Sequence, residues 1–319
     1  MKKFKKIYYS LKIIIKILFG KEIYLINSPQ EYLSLIEYLK NHNSNDYKVK
    51  IIAGFPSDNS IKQIQQIHRS EIGIKNEFVF LKELFDEKFG SFILKILKTF
   101  KINKSLCIVG DREYTLFKAI YNGSTKVVFL DDGLDLLVFS DNDIKVKDYN
   151  LFSYFDLDVK KSIKNNFSFL KTKIQISNIS NNDIWLLGSP AVTFGLFDKS
   201  TYNSIINDFS KKFIDKNITY FPHRNEKINE INFPKNVIVN NIINEPIELY
   251  ASKQKTMPFL IAGFYTTALH TLNIIFGEKK IILMNMNFNI NLIKKNYLKE
   301  QYNLVKQVLE KNNIQNFFY

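Results

Sequence analysis

The sequence predicts an α/β fold in two halves, and three observations lead there. From Glu22 to Gly133, short apolar runs alternate with stretches of helical spacing. The alternation lapses over residues 140–182, which are rich in Asn, Ser, Asp and Lys, and resumes at IWLLGSP (184–190). A length of 319 residues suits about two domains. Strands that alternate with helices form parallel sheets with right-handed crossovers, so each half reads as a Rossmann-like unit beside a cleft.

In the first half, EIYLINS (22–28), YKVKIIAGF (47–55), SLCIVGD (105–111) and KVVFLDDG (126–133) read as buried strands. PQEYLSLIEYLKNHN (29–43) has helical spacing, with Pro29 suited to a first turn. SDNSIKQIQQIHRSEIG (57–73) opens on a capping serine or aspartate. FVFLKELFDEKFGSFILKILKTF (78–100) reads as mostly helical, and REYTLFKAIYNG (112–123) as a helix ended by glycine. Residues 140–182 read as a connection with some local structure. In the second half the strands are IWLLGSP, NITYFPH (217–223), KNVIVNN (235–241), MPFLIAGF (257–264) and KKIILMN (279–285). The helices are STYNSIINDFSKKFIDK (200–216), EPIELYASKQ (245–254), YTTALHTLNIIFG (265–277) and a charged C-terminal stretch to about residue 312. The expected divisions are 1–20, 21–182 and 183–319.

Composition narrows the class. Hydrophobic residues make up 45%, enough for two cores. A net charge of +14 favours phosphate-rich partners such as nucleic acid, anionic lipid, lipopolysaccharide or nucleotide-linked substrates. The charge is spread along the chain without an aromatic-basic recognition motif, which sets nucleic acid aside. The single cysteine, Cys107, lies in an apolar run and is expected in the core; no Cys/His cluster has zinc spacing. At the N-terminus, Lys12 and Lys16 interrupt the apolar stretch, and no cleavage site follows, unlike a signal peptide. The stretch is too short and charged to span a bilayer. On a helix, Ile7, Leu11, Ile14, Ile15 and Leu18 share a face. Two readings stand: an interfacial helix on an anionic leaflet, or a basic helix packed on the first domain.

Three segments carry polar side chains at strand ends, where open α/β sheets bind ligands. In YFPHRNE (220–226), His223 could donate to a leaving phosphate, and Arg224 offers a cationic fork. Glu226 could orient His223 or cap the next turn. In VVFLDDG (127–133), Asp131 and Asp132 cannot both be core residues. One could serve as general base, with Gly133 allowing close approach of a substrate. A metal pair or an ordinary turn fits the same spacing. In GFYTTAL (263–269), Thr266 and Thr267 open a helix, which suits an anion or plain capping. Glu248, in EPIELY, could hold ribose hydroxyls or complement the helix dipole.

The order Asp-Asp-Gly, histidine after an aromatic-rich strand, Pro-x-Glu and paired threonines resembles bacterial sialyltransferases of the GT-B type. It is most similar to the family-52 lipooligosaccharide sialyltransferases and related polysialyltransferases, with matching motifs over about 105–285. The resemblance implies two Rossmann-like domains with parallel sheets facing a central cleft. The first would bind the acceptor and the second the donor, CMP-sialic acid, with inversion and no metal or other cofactor. It implies that Asp131 or Asp132 deprotonates the acceptor, with Asp198 in reserve. His223 would be the general acid or would stabilise the departing phosphate. Phe221 and Pro222 would lie near the cytosine, Glu248 at the ribose, and Thr266 and Thr267 at the phosphate. Arg224 stands where the more widespread motif has proline. The implied acceptor is a lipid-linked cell-surface glycan, lipooligosaccharide or capsule, ending in galactose, and the implied place is the cytoplasmic face of a bacterial inner membrane. A CMP-Kdo transferase, a CDP-polyol phosphotransferase and a non-enzymatic polyanion-binding protein are the competing readings; dimer formation is left open.

Overall fold

Each of the two sheets places its first strand in the middle and builds outward on both sides. The computed structural model describes residues 15, 20–42, 50–54, 56–70, 72–74, 78–84, 104–131, 133–137, 146, 148–157, 159, 161–240, 245–293 and 295–318. The expected N-terminal helix therefore falls almost wholly outside the described residues. The chain divides into two compact units, Met1–Phe169 and Leu170–Tyr319.

In the first unit the strands are β1 (Glu22–Ile26), β2 (Lys50–Ala53), β3 (Phe78–Phe80), β4 (Leu106–Val109), β5 (Lys126–Leu130), β6 (Asp148–Ser153) and β7 (Ser162–Lys164). Their order is β3-β2-β1-β4-β5-β6-β7, and every pairing is parallel. The helices are α1 (Pro29–Asn41), α2 (Asp58–Arg69), α3 (Leu81–Leu84), α4 (Thr115–Tyr121) and α5 (Ser168–Lys171). Beyond Glu22 and Lys126 at their starts, β1, β4 and β5 are apolar, as strands buried on both faces are. Ile23, Leu25, Cys107, Val109, Val127 and Phe129 are all buried. Ser28 caps α1 by accepting from Glu31 N at 3.2 Å, and Pro29 fills the first turn. Ser57 caps α2 in the same way, taking Ser60 N at 3.2 Å.

In the second unit the strands are β8 (Asn178–Leu187), β9 (Asn217–Phe221), β10 (Val237–Val239), β11 (Thr256–Gly263), β12 (Ile282–Asn287) and β13 (Gln315–Phe318). The order is β10-β9-β8-β11-β12-β13, again all parallel. The helices are α6 (Lys199–Lys212), α7 (Ile247–Ser252), α8 (Ala268–Phe276) and α9 (Asn296–Lys311). Ile184, Leu186, Ile218, Leu260 and Met286 from the sheet pack with Ile206 and Phe209 of α6 and Leu298 and Tyr302 of α9. Burial of each such side chain contributes roughly 1.5–3 kcal/mol.

Four features differ from the sequence reading. Residues 140–182 are more than a connection: β6 and β7 extend the first sheet, and β8 begins at Asn178. The division falls between Phe169 and Leu170 because residues 175–178 bond to the second unit. Gln175 N donates to Ser252 O at 3.0 Å and Ser177 N to Lys255 O at 2.9 Å. The stretch expected to be helical from Phe78 begins as the strand β3, and β13 follows the C-terminal helix unforeseen.

Two glycines test how the first sheet is built. Gly133 has φ +62° with open space where a side chain would go. Its role is conformational, so Gly133→Ala should cost about 1–2 kcal/mol. At Gly110 a methyl group would overlap the Glu31 carboxylate, which accepts from Asn27 N at 2.6 Å. Gly110→Ala should therefore lower the urea midpoint more than Gly133→Ala does. Equal midpoints would show that Glu31 yields freely.

Candidate functional site

Register places three loops of the second unit side by side. Leu187 at the end of β8 pairs with Phe221 of β9 and with Gly263 of β11. Neighbouring strands lie about 4.8 Å apart, so the loops that follow start within about 10 Å of one another. The chain order reverses between β8 and β11, which makes this carboxyl edge the topological switch point of the sheet.

A carboxylate ties the first two loops together. Glu226 turns inward, and its Oε1 lies 2.5 Å from the Tyr202 hydroxyl and 2.6 Å from the Tyr220 hydroxyl. The two phenols are 2.8 Å apart. Its Oε2 accepts from His223 N at 3.0 Å, and Ser189 N also bonds to the carboxylate. Burial raises the Glu226 pKa, and the four donors oppose that rise by stabilising the anion. Gly188 is required here, since a methyl group would overlap both Glu226 Oε2 and the Tyr220 hydroxyl.

His223 is half-buried, and its Nδ1 accepts from Asn225 N at 3.2 Å. That bond fixes the tautomer with the proton on Nε2. Burial, then the Arg224 charge beside it, lowers the imidazole to about 3. At neutral pH His223 is thus an uncharged N–H donor. Arg224 also acts on Glu248, which is buried on α7 and accepts from Thr271 Oγ1 at 2.6 Å. Burial raises the Glu248 pKa; Thr271 and Arg224 pull it back.

The third loop leads into α8. Thr266 Oγ1 accepts from Ala268 N at 3.2 Å, while Thr267 occupies the cap position without a side-chain capping bond. Both threonines are half-buried. Tyr265, just before them, has φ +49°, a left-handed conformation costly for a tyrosine. Its hydroxyl donates to Gln301 Oε1 at 2.9 Å, which helps hold that turn.

The other expected site residues are placed as follows. Asp131 belongs to the first unit and is fully buried. It accepts from Ser153 Oγ at 2.6 Å, Tyr154 N at 3.0 Å, and Ser34 Oγ and Asn165 Nδ2 at 3.4 Å. A carboxylate so enclosed cannot meet an acceptor hydroxyl, and its role here is to join the ends of β5, β6 and β7 to α1. Asp132 lies outside the described residues. Gly133 has the positive φ described above, with open space beside its Cα. Phe221 is buried between Trp185 and Tyr250, with ring centroids at 4.8 and 5.5 Å, so it packs the core where contact with a base was expected. Pro222 is half-buried at the edge. Asp198 is exposed and caps α6, accepting from Thr201 N at 2.8 Å. Sequence reasoning missed Gly188, Ser189, Tyr202 and Tyr220. The glycine directly after the first strand of a half was the available signal; nothing marked the two tyrosines. Among the described residues, no three His, Cys, Asp or Glu side chains gather as a metal site requires.

No protein-family model and no curated protein matches the chain. Solved structures do. A Listeria monocytogenes protein assigned as a UDP-N-acetylglucosamine 2-epimerase is 9% identical with a TM-score of 0.50, covering 91% of this chain and 86% of its own. The spinosyn rhamnosyltransferase SpnG is 7% identical with a TM-score of 0.46, covering 92% and 91%. The glycosyltransferase SnogD from Streptomyces nogalater is 12% identical with a TM-score of 0.35, covering 91% and 95%. The likeness to the first is one of fold: two Rossmann-like domains of the GT-B type.

The Asp131 site yields a pH prediction. Burial, opposed by its hydrogen-bond donors, raises its carboxyl from 3.8 to about 7. The folded state then holds a proton that the unfolded state releases, so this contribution to stability is full below about pH 4 and fades as pH rises to 7. Asp131→Asn should cost about 1–3 kcal/mol by setting amide donors against donors. That deficit should be largest near pH 4 and shrink toward pH 7 in urea melts; a deficit that grows with pH would refute the assignment.

Proposed function

We propose that the chain is a glycosyltransferase that moves sialic acid from CMP-sialic acid to the terminal galactose of a lipid-linked or cell-surface glycan. The observation that carries this is the meeting, at one sheet edge, of the His223 Nε2–H donor, the Arg224 guanidinium and the N-terminus of α8 with Thr266 and Thr267. A departing phosphate needs that set: fixed positive charge, a helix dipole and hydrogen-bond donors. The choice of CMP-sialic acid rests on the order of motifs in the sequence.

The chemistry then runs as an inverting displacement. The bond between the anomeric carbon and the phosphate oxygen breaks, and CMP leaves with the electron pair. The acceptor oxygen attacks the opposite face of the sugar and loses its proton to a carboxylate. We assign that base to Asp198. It is exposed, and it starts the helix that follows β8, on the same edge as His223. Neutral His223 gives the phosphate a hydrogen bond and keeps its proton. The +14 charge and the basic segment 1–20 support work at an anionic membrane surface.

The test is CMP release from CMP-sialic acid with a lactose acceptor. Wild type should release CMP only with acceptor present, and His223→Ala should slow release about 10²-fold. No release, together with no thermal shift from CMP or CDP, would end this reading. The pH profile supplies a second check. With its pKa lowered to about 3, free-enzyme His223 stays neutral from pH 5 to 8, so kcat/KM should show no ionisation of His223 in that range. A limb near pH 6.5 that vanishes in His223→Gln would instead make it a proton donor.

A further inference from the structure

We infer that Ser189 is a ligand-binding residue, its hydroxyl held for a phosphate oxygen of the donor at the β8/β11 switch point. This rests on the nucleotide-donor reading above. Ser189 is 1% exposed. Its N–H reaches the Tyr202 hydroxyl at 3.2 Å, and its C=O lies 3.2 Å from the same oxygen. Its Oγ is buried and has no hydrogen-bond partner among the described residues. A hydroxyl in that state destabilises the fold, and alanine would fill the space without the penalty.

Its position supplies the reason to keep it. Leu187, Phe221 and Gly263 are level across the sheet, so Ser189 follows Leu187 between the loop of His223 and the loop of Thr266. Gly188 lets this segment press onto Glu226 and Tyr220, which fixes where Ser189 sits. The surroundings favour an anion: Arg224 acts on the neighbouring loop, and α8, nine residues long, presents its N-terminus at the same edge. A phosphate oxygen there would satisfy the serine hydroxyl, with the hydroxyl donating.

The experiment measures CMP and cytidine binding by calorimetry, and the melting temperature without ligand, for wild type and Ser189→Ala. Because Oγ makes no bond among the described residues, the variant should melt at or slightly above the wild-type temperature. Its CMP affinity should fall about tenfold or more, as expected for a lost hydrogen bond to a charged group. Cytidine, which lacks the phosphate, should bind both proteins alike. Unchanged CMP affinity would overturn the inference and leave the hydroxyl to a buried water. Equal weakening of CMP and cytidine, or a marked drop in melting temperature, would make Ser189 a shaping residue and also overturn it. Wild type that binds neither ligand would bring down the donor reading as well.

Discussion

The hydrogen bonds that converge on Glu226 are the constraint on which the second unit's candidate site depends. One carboxylate accepts from two phenols, one on α6 and one on β9, and from the backbone of the two loops that follow β8 and β9. In a low-dielectric interior such bonds reinforce one another, and the loss of any partner leaves a buried acceptor or donor exposed to the same low dielectric. The orientation of His223 follows from this. Its N–H is spoken for by Glu226, its Nδ1 by Asn225, and only Nε2 is left to face outward chemistry.

The first unit uses the same device at its own carboxyl edge. Asp131 stands at the end of β5 and draws in Ser153 at the end of β6, Tyr154 just beyond it, Asn165 beyond β7 and Ser34 on α1. Both carboxylates carry raised pKa values from burial, and in both the donors work against that rise. A perturbed carboxylate at a strand end is a common mark of catalysis. Here the hydrogen-bond count favours architecture for both, since every oxygen already serves backbone or side-chain donors of its own unit.

The fold was legible because parallel strands buried on both faces are continuous apolar runs, and KVVFL or PFLIAG admits little else. The misses are short edge strands, together with β6 beside one of them. SIK, which forms β7, has no pattern to detect, and β3 lies inside a run whose later residues look helical. The site was legible only in part. His223 and the threonines announced themselves by following strands. Asp131 did so equally, and sequence cannot say which of two adjacent aspartates turns inward, because side chains at a strand end alternate faces. Tyr202 was hidden for a different reason: its role depends on how α6 rotates against β9, which no local spacing encodes.

Three kinds of positive character divide the work at the second unit's edge. Arg224 supplies a permanent charge, and that same charge helps keep His223 neutral. α8 supplies a dipole end that cannot be titrated. His223 supplies direction, since a neutral imidazole with a fixed tautomer has one hydrogen to give. An imidazolium beside Arg224 would be costly in this half-buried setting until an anion arrived. A phosphate would accept the Nε2 hydrogen bond without requiring the imidazole to take up a second proton. Under the proposed reaction His223 is therefore tuned as a hydrogen-bond donor to the phosphate, and the charge is left to Arg224 and the helix end.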